Sequence, residues 1–182
     1  MKPLTKLKAK YIKSLQLKKN RNQEGCFIVE GEKSVLEFIR SDFKVKEVIC
    51  TEEFIANLTP DEEMFEVYTC SASVLSGLGS FKSNNTALAV VEVKQDADFK
   101  IRNDTVILAI DQINDPGNLG TIIRIADWFG LETVLLSTNS VDVYNPKVVS
   151  ASKGSLTRVN VRNVDLEEVF SDYKGNILAA DL

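Results

Sequence analysis

Histidine is absent from this 182-residue chain. That excludes zinc sites of the histidine type and every catalytic triad built on an imidazole. Cysteine is scarce. Cys26, Cys50 and Cys70 form an odd set without metal-ligand spacing, so they read as reduced thiols of a cytoplasmic protein, and no metal is expected. Aliphatic runs are short, residues 106–110 being as long as any, which is far too little to span a bilayer; no membrane partner is expected. No apolar stretch follows the basic N-terminus, so no secretory signal is visible. Acidic residues are missing too, from the whole of residues 1–23.

That last absence exposes an asymmetry beneath the net charge of −4. Lys2, Lys6, Lys8, Lys10, Lys13, Lys18, Lys19 and Arg21 fall in the acid-free stretch, leaving 14 cations against 26 acids, or −12, for the rest. A basic arm on an acidic body points to a polyanionic partner, with Lys10, Lys13, Lys18, Lys19 and Arg21 as candidate RNA contacts. The plainer alternative is a solvated, lysine-rich helix. Leu4, Leu7, Tyr11 and Leu15 recur at helical spacing, so the arm is expected to form an amphipathic helix packed on the body by its apolar side.

An apolar content of 44% can fill one large core or two small ones. Beyond the arm, strand-like and helix-like stretches alternate: strands at 26–29, 45–50, 65–69 and 87–93, helices at 31–40, 51–57 and 71–78, the last with Ser71 as its cap. Residues 95–104 are polar and charged and read as a linker. A second alternation follows, with strands at 106–110, 133–136, 157–161 and 176–180 and helices at 119–129, 145–152 and 166–173. The expected fold class is α/β, with a first unit at 1–94 and a second, parallel-sheet unit at 105–182.

Residues 111–130, DQINDPGNLGTIIRIADWFG, sit where open α/β sheets place ligands, between the carboxyl end of a strand and a helix start. Asp115, Pro116 and Gly117 are turn residues, and Asn118 is placed to cap the helix. Free backbone N–H groups at such a start suit a phosphate, and Arg124, two turns in, offers a planar fork for its oxygens. Gly117 and Gly120 make only a GxxG, short of the dinucleotide fingerprint, and the flanking strand fits a KH domain poorly. The structural alternatives are that Asn118 is only a cap and that Arg124 is a surface partner of Asp127.

The whole string D-x-x-x-DPGNLGTIIR-x-A-x-x-FG resembles the first motif of the SpoU (TrmH) branch of the SPOUT methyltransferases, through Asp115, Pro116, Gly117, Asn118, Gly120, Arg124, Ala126, Phe129 and Gly130. VDVYNPKVVSASKGSLTRVNV resembles the family's next segment through Tyr144, Pro146, Lys147, Ser152 and Gly154, with Ser150 where the family commonly has arginine. LQLKKNRNQEGCFIVEGEKSVLEFI and LSGLGSFKSNNTALAVVEV resemble the family's ribosomal-protein-like substrate-binding domain.

The resemblance implies an N-terminal α/β sandwich that binds substrate RNA, followed by a Rossmann-like, normally trefoil-knotted parallel-sheet domain. It implies methyl transfer from S-adenosylmethionine to a ribose 2′-OH of ribosomal or transfer RNA by a homodimer. It makes Arg124 the catalytic arginine with Asn118 as its partner, and Ser152 and Lys153 RNA contacts, with Gly154 a motif position. The family's G-x-E-x-x-G and S-L-N segments, which form the cofactor knot, do not occur here. The expectation is therefore a C-terminally truncated chain with an incomplete SPOUT domain and no bound S-adenosylmethionine. The alternative is a non-catalytic RNA-binding protein.

Overall fold

The computed structural model describes residues 1–56, 58, 65–94, 105–171 and 173–180. It is built on two sheets. The expected linker at 95–104 lies outside the described residues, as does residue 57 at the end of the helix expected from 51.

The first sheet holds β1 (Lys2–Pro3), β2 (Cys26–Glu30), β3 (Val45–Cys50), β4 (Glu66–Thr69) and β5 (Ala87–Glu92) in the order β1-β4-β3-β5-β2. β3 and β4 run parallel, whereas β5 is antiparallel to both β3 and β2. Every residue of β2 is buried, and side chains of a strand alternate between faces. Cys26 and Ile28 accordingly face one core with Leu88, Val90, Ile12 and Leu15. Phe27 and Val29 face another, with Val35, Phe38, Ala89 and Val91. That burial on both sides explains why β2 and β5 read as continuous apolar runs.

The arm covers the first of these faces, but as two helices rather than one: α1 (Lys6–Ser14) and α2 (Lys18–Glu24). The break has an identifiable cause. Asn20 Nδ2 donates to Ser14 O at 2.8 Å, and Arg21 Nη1 donates to Leu15 O and Gln16 O at 3.0 and 2.8 Å. Side chains of α2 thus satisfy the carbonyls that α1 leaves open at its end. Ile12 and Leu15 are fully buried and Leu4 and Tyr11 pack beside them, while Leu7 is 80% exposed, so of the expected stripe Leu7 alone points away from the sheet.

α3 (Glu32–Ile39) follows β2, and two short helices, α4 (Glu52–Ile55) and α5 (Ala72–Leu75), follow β3 and β4. Ser71 precedes α5, but its hydroxyl engages Ser73 Oγ instead of capping a backbone N–H, and the helix is one turn long rather than two.

The second sheet is parallel throughout, β6 (Leu108–Ile110), β7 (Thr133–Ser137) and β8 (Asn160–Val164), with β7 in the middle. α6 (Pro116–Trp128) connects β6 to β7. α7 (Pro146–Ser152) and a 3₁₀ turn at Ser155–Thr157 connect β7 to β8, and α8 (Leu166–Ser171) follows. β8 begins three residues later than its sequence suggests, because Thr157 Oγ1 and Thr157 N both bond Gly154 O and close the 3₁₀ turn first.

The expected strand at 176–180 does not form. Residues 174–180 are exposed, Leu178 by 96%, and pair with no strand among the described residues. An apolar run becomes a strand only where a neighbouring edge accepts it and a second layer covers it. The two sheets share one continuous core, in which Phe27, Val35 and Phe38 of the first meet Leu119, Ile123, Val148 and Val149 of α6 and α7. No helix among the described residues is long and apolar enough to cross a membrane.

Candidate RNA-binding and catalytic site

The carboxyl end of β6 leads into α6 through residues 111–115. Gln112 takes a left-handed turn at φ 50, its N–H donates to Ser137 Oγ at 2.8 Å, and Val141 N donates to Ile113 O at 2.8 Å. The loop is thus tied to the end of β7.

Asp115, not Asn118, is the N-cap. Its Oδ1 accepts the Asn118 backbone N–H at 2.7 Å, and Pro116 occupies the first helical position, where no N–H partner is needed. α6 therefore starts three residues before the expected Leu119, and the Asn118 side chain is left exposed rather than spent on capping. Gly120 lies where α6 crosses α7. A Cβ there would run into Ala151 Cβ and come within 2.8 Å of Val148 O.

Arg124 is exposed on the outer side of α6, and its side chain makes no hydrogen bond or ion pair among the described residues. The expected alternative, pairing with Asp127, does not occur. Asp127 instead holds Arg158, with Nε 3.0 Å from Oδ1 and Nη2 2.8 Å from Oδ2. Hydrogen bonds from Arg158 keep the Asp127 carboxyl below its ordinary range, and they push the guanidinium's own pKa further up. Arg124, Thr121, Ile125, Trp128 and Phe129 line an open hollow of about 630 Å³ with Lys153 and Ser155. Lys153 reaches it from the left-handed turn that ends α7, at φ 51.

The other expected contacts divide. Lys10, Lys13, Lys18 and Lys19 are exposed on the arm, with Lys6 beside them. Lys2 pairs with Glu66 at 3.1 Å and Lys8 with Glu47 at 2.7 Å, so those two cations are committed. Arg21 is not an RNA contact, being only 3% exposed and spent on Asp142 and the end of α1. Ser152 is fully buried and donates to Val149 O at 2.8 Å, so it too faces the core rather than RNA. Asn118 does not line the hollow that Arg124 and Lys153 share.

Sequence reasoning missed Arg158, Asp142 and Glu37. Arg158 Nη1 donates to Glu37 Oε2 at 2.6 Å, across 121 residues of chain, and no local pattern announces such a pair. Gly154, at φ 91, lets Glu37 approach, since a Cβ there would lie 2.9 Å from Glu37 Cγ. Among the described residues no three Cys, Asp or Glu side chains converge as a metal site.

The mixed sheet and the parallel sheet together superpose on solved TrmH-family and SpoU methyltransferases, so the fold matches that of the SPOUT methyltransferases. Residues 105–182 match the SpoU rRNA Methylase family and residues 6–89 the MRM3-like substrate binding domain. The chain belongs to the SpoU (TrmH) family.

It is 31% identical over 168 residues to the 23S rRNA (guanosine(2553)-2′-O)-methyltransferase RlmP of Bacillus subtilis, covering 92% of this chain and 66% of that one. An RNA methyltransferase of the TrmH family from Porphyromonas gingivalis superposes with a TM-score of 0.78 at 33% identity, over 88% of this chain and 63% of that one. An AdoMet-bound rRNA methyltransferase from Sinorhizobium meliloti superposes at 0.80 with 25% identity, over 94% and 66%. The chain thus spans about two thirds of the length of these relatives.

Proposed function

We propose that this chain serves 2′-O-ribose methylation of ribosomal RNA with S-adenosylmethionine as donor. Residues 1–94 would engage the RNA and residues 105–182 would carry Arg124 to the reacting ribose. The observation that carries the reading is Arg124 itself: an exposed arginine whose side chain has no partner among the described residues, beside Lys153, on the helix that follows the first strand of a parallel sheet. A guanidinium is always protonated and so is no general base. Its role would be to hold a backbone phosphate and to stabilise charge developing on the ribose 2′-oxygen. Asn118, freed from capping by Asp115, is available to orient the substrate at the head of the same helix.

The residues present do not by themselves fit the methyl donor. A ligand of that size needs most of its surface enclosed. Residues 174–180, which would border the space beside the sheet, stand open, with Ile177 55% and Leu178 96% exposed. A polypeptide of these 182 residues should therefore show no saturable S-adenosylmethionine binding by calorimetry. A dissociation constant in the low micromolar range, roughly −8 kcal/mol, would overturn that statement.

Association into a homodimer is part of the proposal. Ile125, Trp128 and Phe129 end α6 with 48%, 86% and 73% of their surfaces exposed, an apolar patch of the kind that subunit contacts cover. The direct test of the function is methyl transfer from labelled S-adenosylmethionine to unmodified 23S rRNA by the full protein, with the product mapped as a 2′-O-methyl ribose. Transfer to a base, or none to any ribosomal RNA, would sink it.

A further inference from the structure

Asp127 lies three residues beyond Arg124 on α6, and both line the same hollow. Opposite charges at that spacing are neighbours on a helix surface and pair readily. Here they do not, because Arg158, from the turn before β8, takes the carboxylate with the Nε and Nη2 edge of its guanidinium. Nε lies 3.0 and 3.1 Å from the two oxygens and Nη2 2.8 Å from one of them. The remaining edge is anchored at Glu37 on α3 of the first sheet's unit.

We propose that Arg158 is a positioning residue for Arg124: by holding Asp127, it keeps the Arg124 guanidinium free for an RNA anion. This rests on the reading of Arg124 given above and adds the device that makes it available. Without Arg158, Asp127 turns to Arg124 and acts twice against the substrate. It occupies the fork that would bind phosphate, and it sets a negative charge beside the phosphate's own. An aspartate of ordinary acidity is ionised at neutral pH, so the competition holds under working conditions even without Arg158.

The test compares methyl transfer to unmodified 23S rRNA by the full protein and by R124A, R158A, R158A/D127N and E37A. R158A should lower kcat/KM by about tenfold, and adding D127N should restore it to within about threefold of the unaltered protein, because the competing charge is gone. E37A breaks only the contact to α3 and should stay near the unaltered rate. A double variant as impaired as R158A, or an E37A variant as impaired as R158A, would overturn the proposal in favour of a purely structural Arg158. R124A at full rate would instead overturn the assignment of Arg124, and this proposal with it.

A second measurement does not depend on turnover. In the 182-residue chain, the Arg124 Nε–H resonance should titrate with Asp127 in R158A and respond weakly to inorganic phosphate. In the unaltered chain it should ignore Asp127 and shift with phosphate. An identical response in both chains would count against the proposal.

Discussion

Arg124 and Arg21 carry the same guanidinium into opposite surroundings. Arg21 is sealed between α1 and Asp142, whereas Arg124 faces solvent with no partner among the described residues. An unpaired, exposed arginine contributes little to stability, so its replacement tests function cleanly. Arg124→Ala in the full protein should lower methyl transfer by at least about 100-fold, the scale on which a lost transition-state contact is felt. Its melting temperature should stay within a degree or two of the parent, on the usual scale of surface changes. Near-normal turnover would leave Arg124 a solubilising surface charge. Ser152 makes the converse point: the family motif marks it as a candidate contact, yet its hydroxyl bonds Val149 O in the core.

At the scale of elements, two contacts decide how the site is held and presented. α6 and α7 cross at Gly120, where a methyl group would strike Ala151 and the Val148 carbonyl. Gly120→Ala should therefore destabilise the protein, by about 1–3 kcal/mol as overpacking usually does, despite alanine's better helix propensity. Urea denaturation reads the change directly, and an unchanged or raised midpoint would mean that the helices separate without penalty.

The arm is the second case. Its helices bury Ile12, Leu15 and Arg21, so deleting it would damage the core along with any RNA contact. Replacing Lys10, Lys13, Lys18 and Lys19 by glutamine removes charge alone. If all four meet phosphates, the slope of log affinity against log salt for a ribosomal RNA fragment should flatten by about 3. An unaltered slope would make the arm a solvated cover for the sheet. Periodicity in the sequence anticipated helix here, but not the break at residues 15–17, because Asn20 and Arg21 reach back to α1 only once both helices are folded.

The whole molecule behaves as two sheets on one core. Phe27, Tyr144 and Val148 meet where the units join, with the Phe27 and Tyr144 rings 4.5 Å apart, and the Arg21–Asp142 pair closes the seam nearby. Removing one partner of a buried ion pair strands the other, so Arg21→Ala should cost about 3 kcal/mol. Asp142 keeps some solvent access, which argues for the low end of the range for such losses. Hydrogen exchange should show amides of β5 and β7 losing protection together. A loss below about 1 kcal/mol would class the pair with surface bridges, and loosening confined to one sheet would show that the units are uncoupled.

The sequence by itself determined what short-range chemistry dictates. Short apolar runs marked β2, β3, β5 and β7 nearly to the residue, and the turn string at 115–118 placed the start of the site helix within three residues. The motif also marked Arg124 as the residue to watch. Tertiary structure decided everything that depends on a distant partner. Asp115 rather than Asn118 caps α6, since competing caps a few residues apart differ by only a fraction of a hydrogen bond. The run at 176–180 stays out of the sheet, because a strand is made by its neighbour and not by its composition. Arg21 became a structural residue and Arg124 stayed free because of carboxylates 121 and 31 residues from the arginines that hold them, Asp142 for Arg21 and Asp127 for Arg158. A charge reveals its sign in the sequence; which opposite charge it meets, and whether water remains between them, is settled only when the chain has folded.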